Sequence, residues 1–144
     1  MNDSLFKGFR HICNDWGVDA KMLSPLQLAY IGDAVYELFV RTYLIGMKNI
    51  SVNEMHKEAV KYVQAKAQAD IIHSLEEKLT QEEWSIVKRG RNAKSGTIPK
   101  NANLQDYRYA TGFEALIGFL YLTEKQERIL EIFRMIVKDK MKDS

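Results

Sequence analysis

The sequence has little of what most folds outside the helical class require. Its 144 residues include two prolines and eight glycines, and almost no stretch alternates apolar and polar side chains with the period of two that a half-buried strand needs. That argues against a β protein. A single cysteine, Cys13, excludes an internal disulfide and fits a reducing compartment. Cys13 lies on the apolar stripe of the first segment with no base partner, so it reads as a small core residue. No apolar run approaches the roughly 18 residues of a membrane span, and charges interrupt the opening MNDSLFKGFRHICND before a secretory apolar core could form. His11, His56 and His73 lack metal-ligand spacing. The net charge is only +2, too small by itself to argue for nucleic acid. Where the charges lie matters more.

What is present is helical periodicity and helix-start chemistry. With 46% hydrophobic residues, the chain can bury one core but not comfortably two, so one all-α domain over residues 1–144 is expected. Leu5, Phe6, Phe9, Ile12, Cys13 and Trp16 form one stripe of a short first helix. Ser24-Pro25-Leu26-Gln27 is a capping box with proline at the first helical position; it opens a central helix expected to end before Gly46. Ser51-Val52-Asn53-Glu54 opens a helix expected to carry Met55, Ala59, Val63, Ile71, Leu75 and Leu79 inward, with Lys57, Lys61, Gln64 and Gln68 on a solvated outer face. Thr80-Gln81-Glu82-Glu83 opens a helix to about Arg89. Thr123-Glu124-Lys125-Gln126 opens the last, with Ile129, Leu130, Phe133, Ile136 and Val137 inward.

Two of these helices are apolar nearly all the way round. Residues 26–40 read LQLAYIGDAVYELFV, with Asp33 in the middle and Glu37 one turn on. Residues 110–122 read ATGFEALIGFLYL, with Glu114 as the one charge. Gly112 and Gly118 each cost about 1 kcal/mol of helix propensity against alanine, which points to a neighbour packed close by. Carboxylates in such surroundings are normally paired or bound to metal. Either each finds its own Arg or Lys, or the helices cross and bring both to one divalent cation, of which Mg²⁺ or Mn²⁺ suits oxygen ligands. Between them, residues 88–105 (KRGRNAKSGTIPKNANLQ) hold Lys88, Arg89, Arg91, Lys94 and Lys100 and no acidic residue. Gly90, Gly96 and Pro99 make this stretch a loop, and uncompensated cations suit phosphate contacts. Tyr107 and Tyr109 read as packing residues leading into the core helix. Together these features describe a metal-dependent phosphodiesterase.

Ala29-Tyr30-Ile31-Gly32-Asp33-Ala34-Val35 resembles the signature of the ribonuclease III family around its Gly-Asp pair. Phe113-Glu114-Ala115-Leu116-Ile117-Gly118, with Tyr121-Leu122, resembles that family's second motif, and Arg89-Gly90-Arg91, Lys94-Ser95-Gly96 and Pro99 resemble the loop before it. The likeness runs from about Ser24 to Thr123. It implies a ribonuclease III-type helical endonuclease domain that cuts double-stranded RNA, leaving a 5′-phosphate and a 3′-hydroxyl. Asp33 and Glu114 match the catalytic, Mg²⁺-binding positions, with Mn²⁺ able to substitute, and Glu37 matches a position often acidic there. Arg89, Arg91, Lys94 and Lys100 would grip phosphates. Leu26, Ala29 and Thr111 stand where the family has further acids, which implies fewer protein ligands and more waters. The resemblance also implies a homodimer with Tyr30 packing across the interface. The likeness is to the catalytic domain alone, so no double-stranded-RNA-binding domain is expected. For such a member the resemblance implies maturation of the large-subunit ribosomal RNA precursor in the cytoplasm, with a ribosomal protein as a candidate presenter of the substrate. A non-catalytic helical RNA-binding assembly factor and a helical Mg²⁺-dependent nucleotide pyrophosphohydrolase are the competing readings.

Overall fold

The structure, a computed structural model, describes residues 5–47, 49–94, 98 and 100–142. Seven α-helices follow one another among them: α1 (Leu5–Ile12), α2 (Pro25–Met47), α3 (Val52–Val63), α4 (Ala65–Leu75), α5 (Gln81–Asn92), α6 (Leu104–Leu122) and α7 (Gln126–Lys142). Single 3₁₀ turns lie at Ala20–Met22 and Glu76–Lys78, and no strand occurs among the described residues.

Side-chain caps start several helices where the sequence places them. At α2 the Gln27 N–H donates to Ser24 Oγ at 3.1 Å and the Ser24 N–H donates to Gln27 Oε1 at 2.9 Å. At α5 the Glu83 N–H donates to Thr80 Oγ1 at 3.1 Å and the Thr80 N–H to Glu83 Oε1 at 2.9 Å. Ser51 caps α3 through the Glu54 N–H at 3.2 Å. Thr123 does otherwise than expected: it ends α6, its hydroxyl donating back to the Phe119 carbonyl at 2.7 Å. The cap of α6 is Asn103, whose side chain accepts from the Asp106 N–H at 3.0 Å.

Three boundaries also differ from expectation. α2 passes through Gly46 to Met47, because one exposed glycine costs only about 1 kcal/mol in a long helix. The helix expected from Val52 to Leu79 is two, broken at Gln64, whose backbone is extended (φ −66°, ψ 156°). α5 continues to Asn92, so Lys88, Arg89 and Arg91 are helical rather than in a loop. Ser95, Gly96, Thr97 and Pro99 lie outside the described residues.

α6 is the central element. From Ala110 to Tyr121 every residue but Glu114 is buried, with α2, α5 and α4 packed round it. The glycines set how closely. A Cβ on Gly32 would run into the Glu114 carbonyl, and one on Gly118 into the Leu28 carbonyl, so α2 and α6 meet backbone to backbone. On the α5 side a Cβ on Gly90 would lie 2.7 Å from Gly112 Cα, and one on Gly112 2.5 Å from the Val87 carbonyl oxygen. Gly112 and Gly118 thus mark the close approaches that their helix-propensity cost foretold.

The rest closes round this crossing. Tyr36 packs edge-on to Phe113 with centroids 4.9 Å apart, and its hydroxyl donates to the Tyr62 carbonyl at 2.9 Å. α7 buries Ile129, Ile132, Phe133 and Ile136 but leaves Leu130 exposed. Arg128 ties it to α5 with two bonds to the Glu83 carboxylate, at 2.8 and 2.9 Å. α1 ends at Ile12, and its main anchors are Phe6 against Tyr121 (5.1 Å) and an Arg10–Glu124 ion pair (2.7 Å). Two turns cannot bury the whole predicted stripe, so Leu5, Phe9, Ile12 and Trp16 are exposed, as is Cys13. α2 is likewise one-sided: Leu28, Gly32, Tyr36, Val40 and Leu44 face the core, while Tyr30 (84% exposed), Leu38 and Ile45 face away.

Candidate active site

The α2–α6 crossing determines where the acids go. Gly32 lies on the Glu114 backbone, so the next side chain along α2, Asp33, is carried to the Glu114 carboxyl. Asp33, Glu37 and Glu114 line one open groove of about 560 Å³, together with Leu26, Ala29, Tyr30, Tyr107 and Thr111. The three positions where the family resemblance placed further acids, Leu26, Ala29 and Thr111, are all in this wall.

Among the described residues neither Asp33 nor Glu114 has a Lys or Arg ion-pair partner; Glu37 has a loose one, Arg41, at 3.8 Å. The alternative of two separate salt bridges is not what the fold builds. Burial first, then the Asp33 charge and a hydrogen bond with Asp33, push the Glu114 carboxyl up to about 8, with the Gln68 amide opposing and the Glu37 charge adding a little. Glu114 therefore holds its proton near neutral pH unless something positive replaces it. Facing carboxylates in an open groove are the donor set a hard divalent cation takes. No group of three or more His, Cys, Asp or Glu residues that could hold a metal ion occurs among those described, so a cation here would rest on two carboxylates and keep most of its shell as water and substrate oxygens. The residues fit Mg²⁺ better than they fit an unassisted acid pair.

The cations divide into two sets. Arg89 donates to the Leu23 carbonyl at 3.5 Å, beside the end of α2 where Leu26 begins the groove. Arg91 turns elsewhere: it sits over the Tyr109 ring at 5.6 Å and donates to the Tyr109 hydroxyl at 3.4 Å. That ring packs on His73 of α4, 4.4 Å away. Tyr109 lies roughly 140° round α6 from Glu114 at about 100° per residue, so Arg91 is on another face. Lys94 and Lys100 are exposed in the segment between α5 and α6.

One residue of the site was missed from sequence. Gln68 was expected on the solvated face, yet it is 2% exposed, and its Nε2 donates to Glu114 Oε2 at 3.4 Å and to the Val63 carbonyl at 3.0 Å. The break at Gln64 resets the phase, so counting forward from Met55 misplaces it. Counting back from Ile71, Ile72 and Leu75 puts Gln68 on their face, and that was the signal available.

A model of the ribonuclease III domain matches residues 26–125. The chain belongs to the ribonuclease III family and is an endoribonuclease of the kind that acts on double-stranded RNA. Its relatives there are Mini-ribonuclease 3 proteins. That of Clostridium tetani is 51% identical over 120 residues, spanning 83% of this chain and 80% of its own; that of a Thermoanaerobacter species is 55% identical over 116 residues, spanning 81% and 82%. A crystal structure of a Fusobacterium nucleatum protein matches with a TM-score of 0.76 at 34% identity, over 85% of this chain and 98% of that one. The non-catalytic and pyrophosphohydrolase readings give way to this one. No helix among the described residues is long and apolar enough to cross a membrane.

Proposed function

We propose that residues 1–144 act as one catalytic domain in which Asp33 and Glu114 hold a divalent cation, Mg²⁺ with Mn²⁺ able to substitute, at the scissile phosphate of a double-stranded RNA. The observation that carries this reading is the meeting of the two carboxylates at the glycine-mediated crossing, in an open groove, with no basic partner among the described residues. Bound there, such a cation supplies Lewis acidity toward the phosphate and activates water. Asp33 and Glu114 would contribute ionised oxygens, and Glu37 lines the same groove one turn along α2. Water adds at phosphorus as the bond to the 3′ oxygen breaks, leaving a 5′-phosphate and a 3′-hydroxyl. Arg89, with Lys94 and Lys100, holds flanking phosphates, and Arg91 reaches the backbone from the neighbouring face.

The physiological substrate in this reading is the large-subunit ribosomal RNA precursor, cut in the cytoplasm, with a ribosomal protein as candidate presenter, as the family resemblance of the sequence motifs implies. The apolar face of Tyr30, Leu38 and Ile45 supports a homodimer, since a second copy would cover it. Wild-type protein is expected to scatter light as about twice the 16.7 kDa chain at micromolar concentration, and Tyr30→Asp as a single chain; a wild-type monomer would refute the dimer.

The test is direct. Purified protein is incubated with duplex RNA and with nucleoside triphosphates, in Mg²⁺ and in chelator. Cutting of the duplex alone, only with Mg²⁺, is expected; cutting that persists in chelator refutes the proposal. Alanine at both Arg89 and Lys94 should weaken duplex binding and flatten its dependence on log salt by about 1 to 2 units. Unchanged binding would show that phosphates are held elsewhere.

A further inference from the structure

α4 buries Ala67, Ala69, Ile71, Ile72 and Leu75, and among them the amide of Gln68. Methionine, of similar length, would fill that space at less cost: Gln68 Oε1 is buried with no hydrogen-bond partner among the described residues, which ordinarily costs about 1–3 kcal/mol. The amide must serve something other than packing.

Its geometry shows what. In an unbroken helix the Val63 carbonyl would accept from the N–H of Ala67, four residues on. The extended backbone at Gln64 interrupts that ladder, and Gln68 Nε2 takes the carbonyl instead, at 3.0 Å. This bond fixes which end of the amide is the nitrogen, because an inverted amide would set oxygen against oxygen. The second hydrogen of the same nitrogen then meets Glu114 Oε2 at 3.4 Å. The helix break, the amide and the carboxylate form one chain of contacts, anchored in main chain at one end.

We propose that Gln68 is the positioning residue for Glu114: clamped to the Val63 carbonyl at the α3–α4 break, its amide restrains the Glu114 carboxylate in the orientation that meets the cation beside Asp33. This rests on the reading that Glu114 holds the cation. Gln68 is not among the groove's lining residues, so it acts through Glu114 rather than on the RNA. Groups of this kind behind a ligating carboxylate typically govern metal affinity by 10–100-fold.

The test is Mn²⁺ binding to the RNA-free protein, followed by electron paramagnetic resonance, for wild type, Gln68→Met, Glu114→Gln and the double variant. Gln68→Met keeps the volume and removes the donor. Its Mn²⁺ dissociation constant is expected to rise about tenfold, with kcat on duplex RNA falling and KM nearly unchanged. In the Glu114→Gln background the same change is expected to have no further effect on Mn²⁺ binding. Should Gln68→Met fail to fold by circular dichroism, Gln68→Asn, too short to span both partners, is expected to give the same pattern. Mn²⁺ affinity within twofold of wild type in the Gln68 variant, while Glu114→Gln loses binding, overturns this inference alone. An equal loss in both backgrounds also overturns it, since the effect would not pass through Glu114. Wild-type Mn²⁺ affinity in Glu114→Gln overturns the cation reading and this inference together.

Discussion

Glu114→Gln is expected to abolish cleavage of duplex RNA and, in chelator, to make the protein more stable at pH 8. The two effects share one origin. The Glu114 carboxyl is raised from its ordinary 4.5 to about 8 by burial and by the acids beside it. Below about pH 4.5 folded and unfolded chains both carry the proton, and the group contributes nothing. Between 4.5 and 8 the folded chain holds a proton that the unfolded chain has lost, so stability falls as pH rises, by at most about 1.4 kcal/mol per pH unit. Above 8 the loss is complete and constant. Glutamine carries no charge and removes this term. Thermal melts in chelator should show wild type and variant together near pH 4, with the variant melting progressively higher toward pH 8. Cleavage should fall by about 10³-fold or more, several kcal/mol of transition-state stabilisation. A variant that cleaves within tenfold of wild type, or that melts at the wild-type temperature at pH 8 as well as at pH 4, contradicts the assignment.

Gly32→Ala should be the most damaging single methyl group in the protein. The new Cβ falls on the Glu114 carbonyl and 2.7 Å from the Gly118 nitrogen. Both are main-chain atoms of a buried helix and cannot swing aside. α2 and α6 must separate, at a cost of about 3 kcal/mol, the upper end for overpacking a core, or roughly 10 °C in Tm. Cleavage should fall as well, though Asp33 and Glu114 are untouched, because the crossing places them. Gly46→Ala is the control: nothing lies within 4 Å of a Cβ there, and a helical Gly→Ala change is neutral to stabilising by about 1 kcal/mol. Melts and duplex cleavage on the two variants decide the matter; a Gly32→Ala protein with wild-type Tm would mean that the helices do not touch there.

How much was legible followed from what each signal depends on. Caps are local chemistry, so Ser24, Ser51 and Thr80 could be read directly. Thr123 could not, because the same Thr-x-x-Gln pattern serves at a C-terminus when the preceding helix is long enough to reach it. Asp33 and Glu114 stood out because they interrupt apolar helices, and the two α6 glycines announced a close neighbour. That Gly118 meets α2 at Leu28, one turn before Gly32 and Asp33, and Gly112 meets α5 at Val87 is tertiary information, as is the direction in which Arg91 turns. Gln68 was lost for a simpler reason. Nothing in VKYVQAKAQAD breaks a helix, and Gln68 was set with the polar residues although it stands three and seven positions before Ile71 and Leu75, on the face those two turn inward.

The central claim is that Asp33 and Glu114 together hold a divalent cation. Crystals soaked in Mn²⁺ and measured at an energy where manganese scatters anomalously test it most directly. Anomalous density in the groove, in contact with both carboxylates and removed by Glu114→Gln, is the expected result. Manganese bound elsewhere in the chain while this groove is empty would contradict it.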